Sequence, residues 1–349
     1  MAILITGGTG FIGSHSCLEI LKRRYDIVII DALFNSSELV LERIKILLKR
    51  ENHKDFYMKF YKCDLRNEET LREIFQKQVS YGKPIKAVIH FAGSKSVGES
   101  FCDPDLYWNN NLVSSYSLFK IMEEFNCKKL VFSSSASVYS YAFGNKVYEN
   151  SKLGPSSPYG ETKLAIEELL RKIHLQNNGW QIISLRYFNP IGAHPSGIIG
   201  EFPLKKNRNI FPQLCRVAGS KDEKLYLFGK DWPTKDGTCV RDYIHVLDLA
   251  RAHLSALELL INGNLGMMCL NVGTSIGTSL LELIDTFERV NKVHIKYIFG
   301  ERRIGDVAFL VADNKLFYET FGWYPKYDIS RMCKDAWRWQ TMNPNGYLS

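Results

Sequence analysis

The sequence predicts an α/β protein: a doubly wound parallel sheet followed by a smaller, mixed α/β region. Three observations carry this. Apolar, β-branched runs alternate with helical stretches through the first half. The first run opens onto the glycines Gly7, Gly10 and Gly13, with a helix beyond. Past about residue 190 the alternation gives way to turn chemistry, in Asn189-Pro190 and in His194-Pro195-Ser196-Gly197.

In chain order, the strand runs are 3–6, 27–30, 87–91, 130–133 and 181–186. The helical stretches lie near 14–24, 37–50, 67–80, 105–126 and 159–177. Continuous apolar runs are what strands covered on both faces require. The pattern divides the chain into a dinucleotide-binding domain, 1–180, and a substrate domain, 181–349, which can lend strands back to the first.

Composition excludes several classes. Of 349 residues, 45% are hydrophobic and 23% charged, as in a globular protein. No apolar run approaches the ~18 residues of a membrane span. The net charge of +8 is scattered: Lys22-Arg23-Arg24 and Lys49-Arg50 read as solvated helix ends. No basic stripe with aromatics points to nucleic acid. The start, Met1-Ala2-Ile3-Leu4-Ile5, runs straight into a strand, so the expected location is the cytoplasm. The eight cysteines include no CxxC pair and read as reduced thiols, with no metal site.

The glycines carry the first chemistry. They permit a tight turn and close approach of a pyrophosphate, and the helix behind supplies free N–H groups. Asp31 ends the second run, where an acid bonds a ribose 2′-OH and repels a 2′-phosphate. Together they predict a Rossmann domain that binds NAD. Tyr159 and Lys163 are i and i+4, on one helix face. An ammonium ~4 Å from a phenol, at an effective dielectric of ~20, offers roughly the 4 kcal/mol needed to lower the phenol toward neutrality. Ser135 ends the fourth run, where such sheets bind ligands, and can share a proton with Tyr159. Each feature alone has an ordinary alternative, a glycine-rich turn or a surface helix pair; their order in one chain weakens it.

With these motifs the chain resembles the extended short-chain dehydrogenase/reductase family and, within it, the nucleotide-sugar 4-epimerases. The resemblance runs through the whole chain. It rests on Thr6-Gly-Gly-Thr-Gly-Phe-Ile-Gly-Ser-His15, His90-Phe-Ala-Gly93, Ser157-Pro-Tyr-Gly160 with Lys163, Leu185-Arg-Tyr-Phe-Asn-Pro190, Gly192-Ala-His-Pro-Ser-Gly197 and Val240-Arg-Asp-Tyr-Ile-His-Val246. It implies tightly held NAD and interconversion of UDP-galactose and UDP-glucose through a 4-keto sugar. Tyr159 would take the 4-OH proton, Lys163 would lower the phenol and hold the nicotinamide ribose, and Ser135 would bridge the sugar oxygen. The implied NAD contacts are Gly7, Gly10, Phe11, Ile12, Gly13, Asp31, Asp64, Leu65, Phe91, Lys95, Asn110 and Phe188, besides Tyr159 and Lys163. The implied UDP-sugar contacts are Asn189, Asn209, Phe228, Arg241, Arg303, Asp306 and Leu310, besides Ser135.

The chain departs from the family pattern at Ser140, where glycine is usual, and at Ile304. Leu310 stands where some members carry a bulky tyrosine, which implies room for an N-acetyl group. Ser135-Ala136-Ser137 lacks the Asp-Glu pair of the family's dehydratases, which speaks against elimination. A silent NAD-binding regulator would lose Tyr159 or Lys163. UDP-glucuronate and UDP-N-acetylglucosamine 4-epimerases remain as alternatives. No role in catalysis falls to His15, His90, His194 or His245. The resemblance also implies a homodimer, paired through the helices near 105–126 and 159–177, with Leu112, Phe119, Ile121, Leu164, Ile166, Leu169 and Leu170 as their apolar positions.

Overall fold

The computed structural model describes residues 1–140, 146–177, 179–203, 209–220 and 223–348. The strands in chain order are β1 (Ala2–Thr6), β2 (Asp26–Asp31), β3 (Met58–Lys62), β4 (Ile85–His90), β5 (Lys129–Ser133), β6 (Gln181–Tyr187), β7 (Asn189–Ile191), β8 (Leu225–Phe228), β9 (Val240–His245), β10 (Met267–Val272), β11 (Gly277–Ser279), β12 (Tyr297–Gly300) and β13 (Phe309–Leu310). The helices are α1 (Phe11–Lys22), α2 (Leu39–Arg50), α3 (Glu68–Ser80), α4 (Val97–Ser100), α5 (Pro104–Tyr107), α6 (Ser114–Glu124), α7 (Pro158–Gln176), α8 (Ile210–Ala218), α9 (Val246–Asn262), α10 (Leu280–Asn291), α11 (Lys315–Phe321) and α12 (Ile329–Met342).

Seven strands form one sheet in the order β10-β6-β5-β4-β1-β2-β3. Every pair in it is parallel. The side-chain period of two sorts each strand between two cores. Ile3, Ile5, Ile27 and Ile29 face α1, α2 and α9. Ala2, Leu4, Val28 and Ile30 face α3, α6 and α7. Both faces are therefore dry, which is why the inner strands read as unbroken apolar runs.

Two strands of this sheet are not among the five runs read from the sequence. β3, Met-Lys-Phe-Tyr-Lys, is an edge strand with Lys59 and Lys62 exposed, so its pattern is too polar to register as a buried run. β10 comes from late in the chain and pairs with β6. Both β6 and β10, with α9, lie beyond residue 180, so residues on either side of that position build the large sheet.

The helix expected over 105–126 is in fact three pieces. Between α5 and α6 the backbone makes a π-helical turn, Trp108–Val113. Such wide turns inside helices recur at functional sites. This one turns Asn111 inward, where its Oδ1 accepts from the Ser94 N–H at 2.7 Å and its Nδ2 donates to Thr162 Oγ1 at 2.9 Å. The helix is thereby tied to the loop after β4 and to α7.

After β6 the chain crosses at once into a second, smaller sheet. There β9 is central, flanked by β11 and β13, and β7 pairs with β9 as well. β8 and β12 form a separate pair. Phe211, Leu283, Phe287 and Met332, from α8, α10 and α12, are part of this region's core. A single residue, Phe188, separates β6 from β7, so the carboxyl ends of the large sheet open directly toward the small one.

His15, His90 and His253 are buried in the large domain, and burial pushes their imidazoles down to about 3, 3 and 4. Unfolded histidine protonates near 6.5. The unfolded chain therefore binds more protons as pH falls from 6.5 toward 3, and stability is lost through that window. At pH 5 the loss is about 2 kcal/mol for each such histidine relative to pH 7. Urea unfolding at the two pH values checks this: the midpoint should be clearly lower at pH 5, and equal midpoints would contradict it.

Candidate active site

β1 ends in the glycine turn. Gly7 takes φ +68°, and a Cβ there would stand 2.7 Å from the Ala92 nitrogen. At Gly13 a Cβ would stand 2.3 Å from the Gly7 carbonyl oxygen. Gly10 caps α1, whose first turn lines a cavity and has no side-chain cap on its N–H groups. At the end of β2, Asp31 accepts from the Thr9 N–H at 3.2 Å and from the Leu33 N–H at 2.9 Å. The carboxylate is thus fixed beside the turn.

These residues line a cavity of about 500 Å³. Gly7, Gly10, Phe11, Ile12, Gly13, Asp31, Asp64, Leu65, Phe91, Lys95 and Asn110 all border it, as do Tyr159 and Lys163. Phe188 does not; it lines a second cavity of about 250 Å³. Asp64 is held by Arg66 at 2.6 Å, which keeps its carboxyl below the usual range.

Ser135, Asn189, Asn209, Phe228, Arg241, Arg303, Asp306 and Leu310 all line the second cavity. Arg241 Nη1 donates to the Val240 and Val307 carbonyls at 3.0 and 2.7 Å, which fixes its guanidinium. Arg303 Nε donates to Asp306 at 3.0 Å and its guanidinium lies 4.7 Å from the Phe228 ring centre. The result is a wall of two guanidiniums, a carboxylate and an aromatic face. Leu310 pairs with Arg241 across β13 and β9. Ile304 is 80% exposed, and Ser140 joins the cavity wall.

Tyr159 borders both cavities. α7 begins with Pro158, and Ser157 caps it by accepting the Gly160 N–H at 3.2 Å. That cap sets the pitch at which Tyr159 and Lys163 enter the site. The three serines at the end of β5 have different roles. Ser133 offers its carbonyl to Lys163 Nζ at 2.9 Å. The Ser134 hydroxyl donates to Glu167 at 2.6 Å. Only Ser135 turns to the second cavity, where it lies near enough to Tyr159 to oppose the rise of its phenol.

Electrostatics departs from the sequence expectation at one point. Lys163 was expected to lower the Tyr159 phenol. Instead burial raises the phenol well above its usual value, and the neighbouring Tyr187 acts in the same direction. The Lys163 ammonium, 4% exposed, is itself pushed down to about 8 by burial and spends a hydrogen bond on Ser133. Without ligands the phenol therefore holds its proton.

Sequence reasoning passed over four site residues. Tyr187 and Glu201 border both cavities, and Glu201 pairs with Lys95 at 2.9 Å. Asn111 and Glu167 stand behind the site. Glu167 had a readable signal, since it lies one turn past Lys163 on the same face. Glu201 had none, because its partner is 106 residues away. Among the described residues no group of three His, Cys, Asp or Glu side chains could hold a metal.

A dinucleotide cradle, a Ser–Tyr–Lys set at its inner end and an adjoining polar cavity define a short-chain dehydrogenase/reductase of the extended type. The family model described as GDP-mannose 4,6 dehydratase matches residues 4–336. UDP-glucose 4-epimerase of Bacillus subtilis is 46% identical over 349 residues, covering 100% of this chain and 99% of that one. UDP-glucose 4-epimerase 2 of Arabidopsis thaliana is 43% identical over 348 residues, covering 100% and 97%. The crystal structure of UDP-glucose 4-epimerase from Bifidobacterium longum in complex with NAD+ and UDP superposes with TM-score 0.92 at 39% identity, covering 99% and 100%. The chain belongs to the UDP-glucose 4-epimerase family of extended short-chain dehydrogenase/reductases.

The tight fit at Gly13 makes a direct test. Gly13→Ala should lower the affinity for added NAD at least about tenfold while the far-ultraviolet spectrum stays unchanged, because the added Cβ forces the loop off the helix start. Calorimetric titration measures it; unchanged affinity would mean that the loop does not hold the dinucleotide.

Proposed function

We propose that this protein is an NAD-dependent isomerase that interconverts UDP-galactose and UDP-glucose, oxidising the sugar transiently at C4 and reducing it again from the other face. The observation that carries this reading is the position of Tyr159, which borders both cavities, with Lys163 one turn along the same helix and Ser135 in the wall of the second. The relatives and solved structures with which the chain aligns over nearly its full length are UDP-glucose 4-epimerases, one of them with NAD+ and UDP bound.

The first cavity suits NAD by its own chemistry. The glycine turn leaves space that a Cβ would fill, α1 offers free N–H groups, and Asp31 stands where a ribose diol would lie. NAD bound there would supply the hydride acceptor and donor and, when oxidised, a positive charge. Asp31 would hold the adenosine ribose, while Lys163 and Asn110 would hold the nicotinamide end.

In the second cavity Arg241 and Arg303 would grip the diphosphate, stiffened in advance by the carbonyls and the carboxylate they already hold. Phe228 would stack on the base. At the other end Ser135 and Asn189 offer the sugar single, neutral hydrogen bonds. Firm anchorage of the nucleotide with light contacts to the sugar suits a reaction in which the sugar must present both faces. Tyr159 takes the 4-OH proton once positive charge offsets its burial, Ser135 holds the same oxygen, and Tyr159 returns the proton. Nothing here suits elimination of water: Ala136 and Ser137 follow Ser135, and the cavity carboxylates Glu201 and Asp306 are committed to Lys95 and to the arginines.

The reading also places the protein in the cytoplasm; the eight cysteines are all free thiols, and no described helix is long and apolar enough to cross a membrane. It includes a homodimer. Phe119, Ile121, Ile166 and Leu170 pack into the chain's own core, but Val113 and Tyr116 on the π-turn and α6 remain exposed. Light scattering should give twice the chain mass, and Tyr116→Glu should lower it.

Purified protein with UDP-galactose and no added cofactor should form UDP-glucose. Tyr159→Phe should lower kcat by about 10²–10⁴ while retaining its NAD. Absence of product in folded protein that carries NAD would overturn the substrate assignment. UDP-N-acetylgalactosamine in the same assay tests the space beside Leu310: turnover is expected, and Leu310→Tyr should abolish it without loss of UDP-galactose activity.

A further inference from the structure

We propose that Glu167 is a positioning residue for this reaction: through Ser134 and Arg186 it fixes the serine turn of β5, and it sets a carboxylate one helical turn from Lys163. The inference rests on the epimerase reading and deepens it.

Glu167, Ser134 and Arg186 touch neither cavity. Glu167 is fully buried and accepts three hydrogen bonds: from Ser134 Oγ at 2.6 Å, from Arg186 Nε at 3.0 Å and from Arg186 Nη2 at 2.6 Å. Arg186 is buried too, and its Nη1 donates to the Tyr139 hydroxyl at 3.0 Å and to the Glu149 carbonyl at 2.9 Å. The Tyr139 hydroxyl donates to Asn271 at 2.6 Å. One polar cluster thus joins α7, the turn after β5, β6 and β10.

A buried ion pair is a poor device for stability alone. Apolar side chains of similar volume are often neutral or better, because two charges must leave water. The cluster does have a positional consequence. With the Ser134 hydroxyl committed to Glu167, the next residue, Ser135, faces Tyr159, and the preceding carbonyl, that of Ser133, faces Lys163.

It has an electrostatic consequence as well. Lys163 meets the Ser133 carbonyl of β5, the Phe132 ring at 4.9 Å, His90 on β4, and Tyr159 and Glu167 on its own helix, with Arg186 of β6 behind Glu167. His90 is neutral, since burial holds it at about 3, and Tyr159 keeps its proton. Glu167 is the anion among these described groups. Burial drives the Lys163 ammonium down, and Glu167 opposes that. A neutral amine could not stabilise the Tyr159 phenolate. Above the lysine's own titration point the reaction should fail, and Glu167 holds that point up.

The test uses the NAD-loaded enzyme and UDP-galactose across pH 6–10. For Glu167→Gln, kcat at pH 8 should fall about tenfold or more, and the alkaline limb of kcat/KM should move down by about one unit. KM should stay within about twofold, since Glu167 touches no substrate. The Lys163 side chain, followed by NMR with ¹³C-labelled lysine, should show the same downward shift without turnover. The double variant Glu167→Met with Arg186→Met removes both charges and leaves no unpaired arginine. It should fold and keep the lowered limb. If it recovers the wild-type kcat and pH profile, the pair serves folding only and the inference is overturned. A wild type without turnover would fail the epimerase reading instead, while the NMR titration would still decide the charge effect. If Glu167→Gln does not fold, the double variant and Ser134→Ala carry the test; Ser134→Ala should lose kcat several-fold with the limb in place.

Discussion

Lys163 is an ammonium buried at the carboxyl end of β5, and the site is organised around keeping that charge there. Only 4% of the residue is exposed to water. The Ser133 carbonyl, the Phe132 ring face and the carboxylate one turn along α7 stand in its place. Those three come from two elements whose relative position is fixed by the parallel sheet. The same burial raises Tyr159, so the pair together store opposite tendencies: a lysine inclined to lose its proton and a tyrosine inclined to keep one. Ligand charge can tip such a balance, because at low effective dielectric one added charge outweighs a desolvation of a few kcal/mol.

The topology puts that balance at a crossing. Ligands of doubly wound sheets lie beyond the carboxyl ends of the strands. Here the chain passes from β6 through Phe188 into β7 and so into the small sheet, whose central strand β9 carries Arg241. The return through α9 and β10 fastens the small sheet onto the large one. The two cavities are consequently neighbours by connectivity, and Tyr159 sits where their walls meet. The C-terminal segment braces the same place: the Tyr347 hydroxyl donates to the Gly200 carbonyl at 2.8 Å, and Trp339 Nε1 donates to the Glu201 carbonyl at 3.0 Å.

What was legible in the sequence is what depends on local spacing. The glycine turn, Asp31 and the Tyr159–Lys163 pair are each encoded within a few residues of a strand end or helix start, and they border the cavity expected for them. The inner strands were legible because both faces are dry. β3 was not, since an edge strand is protected by the very lysines that spoil its pattern. The π-turn at Trp108–Val113 was not either, because its cause is tertiary: Asn111 is drawn to Ser94 and Thr162. The phenol's raised affinity for its proton escaped for a related reason. A pair energy can be read from i, i+4 spacing, whereas burial is a property of the whole fold.

The placement of carboxylates separates the chemistry here from that of the dehydratases with which the family model shares its description. Elimination needs an acid and a base free to exchange protons beside the sugar. In the second cavity, Asp306 is bound to Arg303 and Arg241, and Glu201 to Lys95. Glu167 is also close to the serine turn, but it is sealed behind β5 with three donors upon it. Each of these three carboxylates therefore already carries a positive partner. On the proposed reading proton transfer falls to Tyr159, with Ser135 beside it. One group that takes a proton and gives the same proton back can support a reaction with no net change in water or redox state, and that is the reaction an epimerase performs.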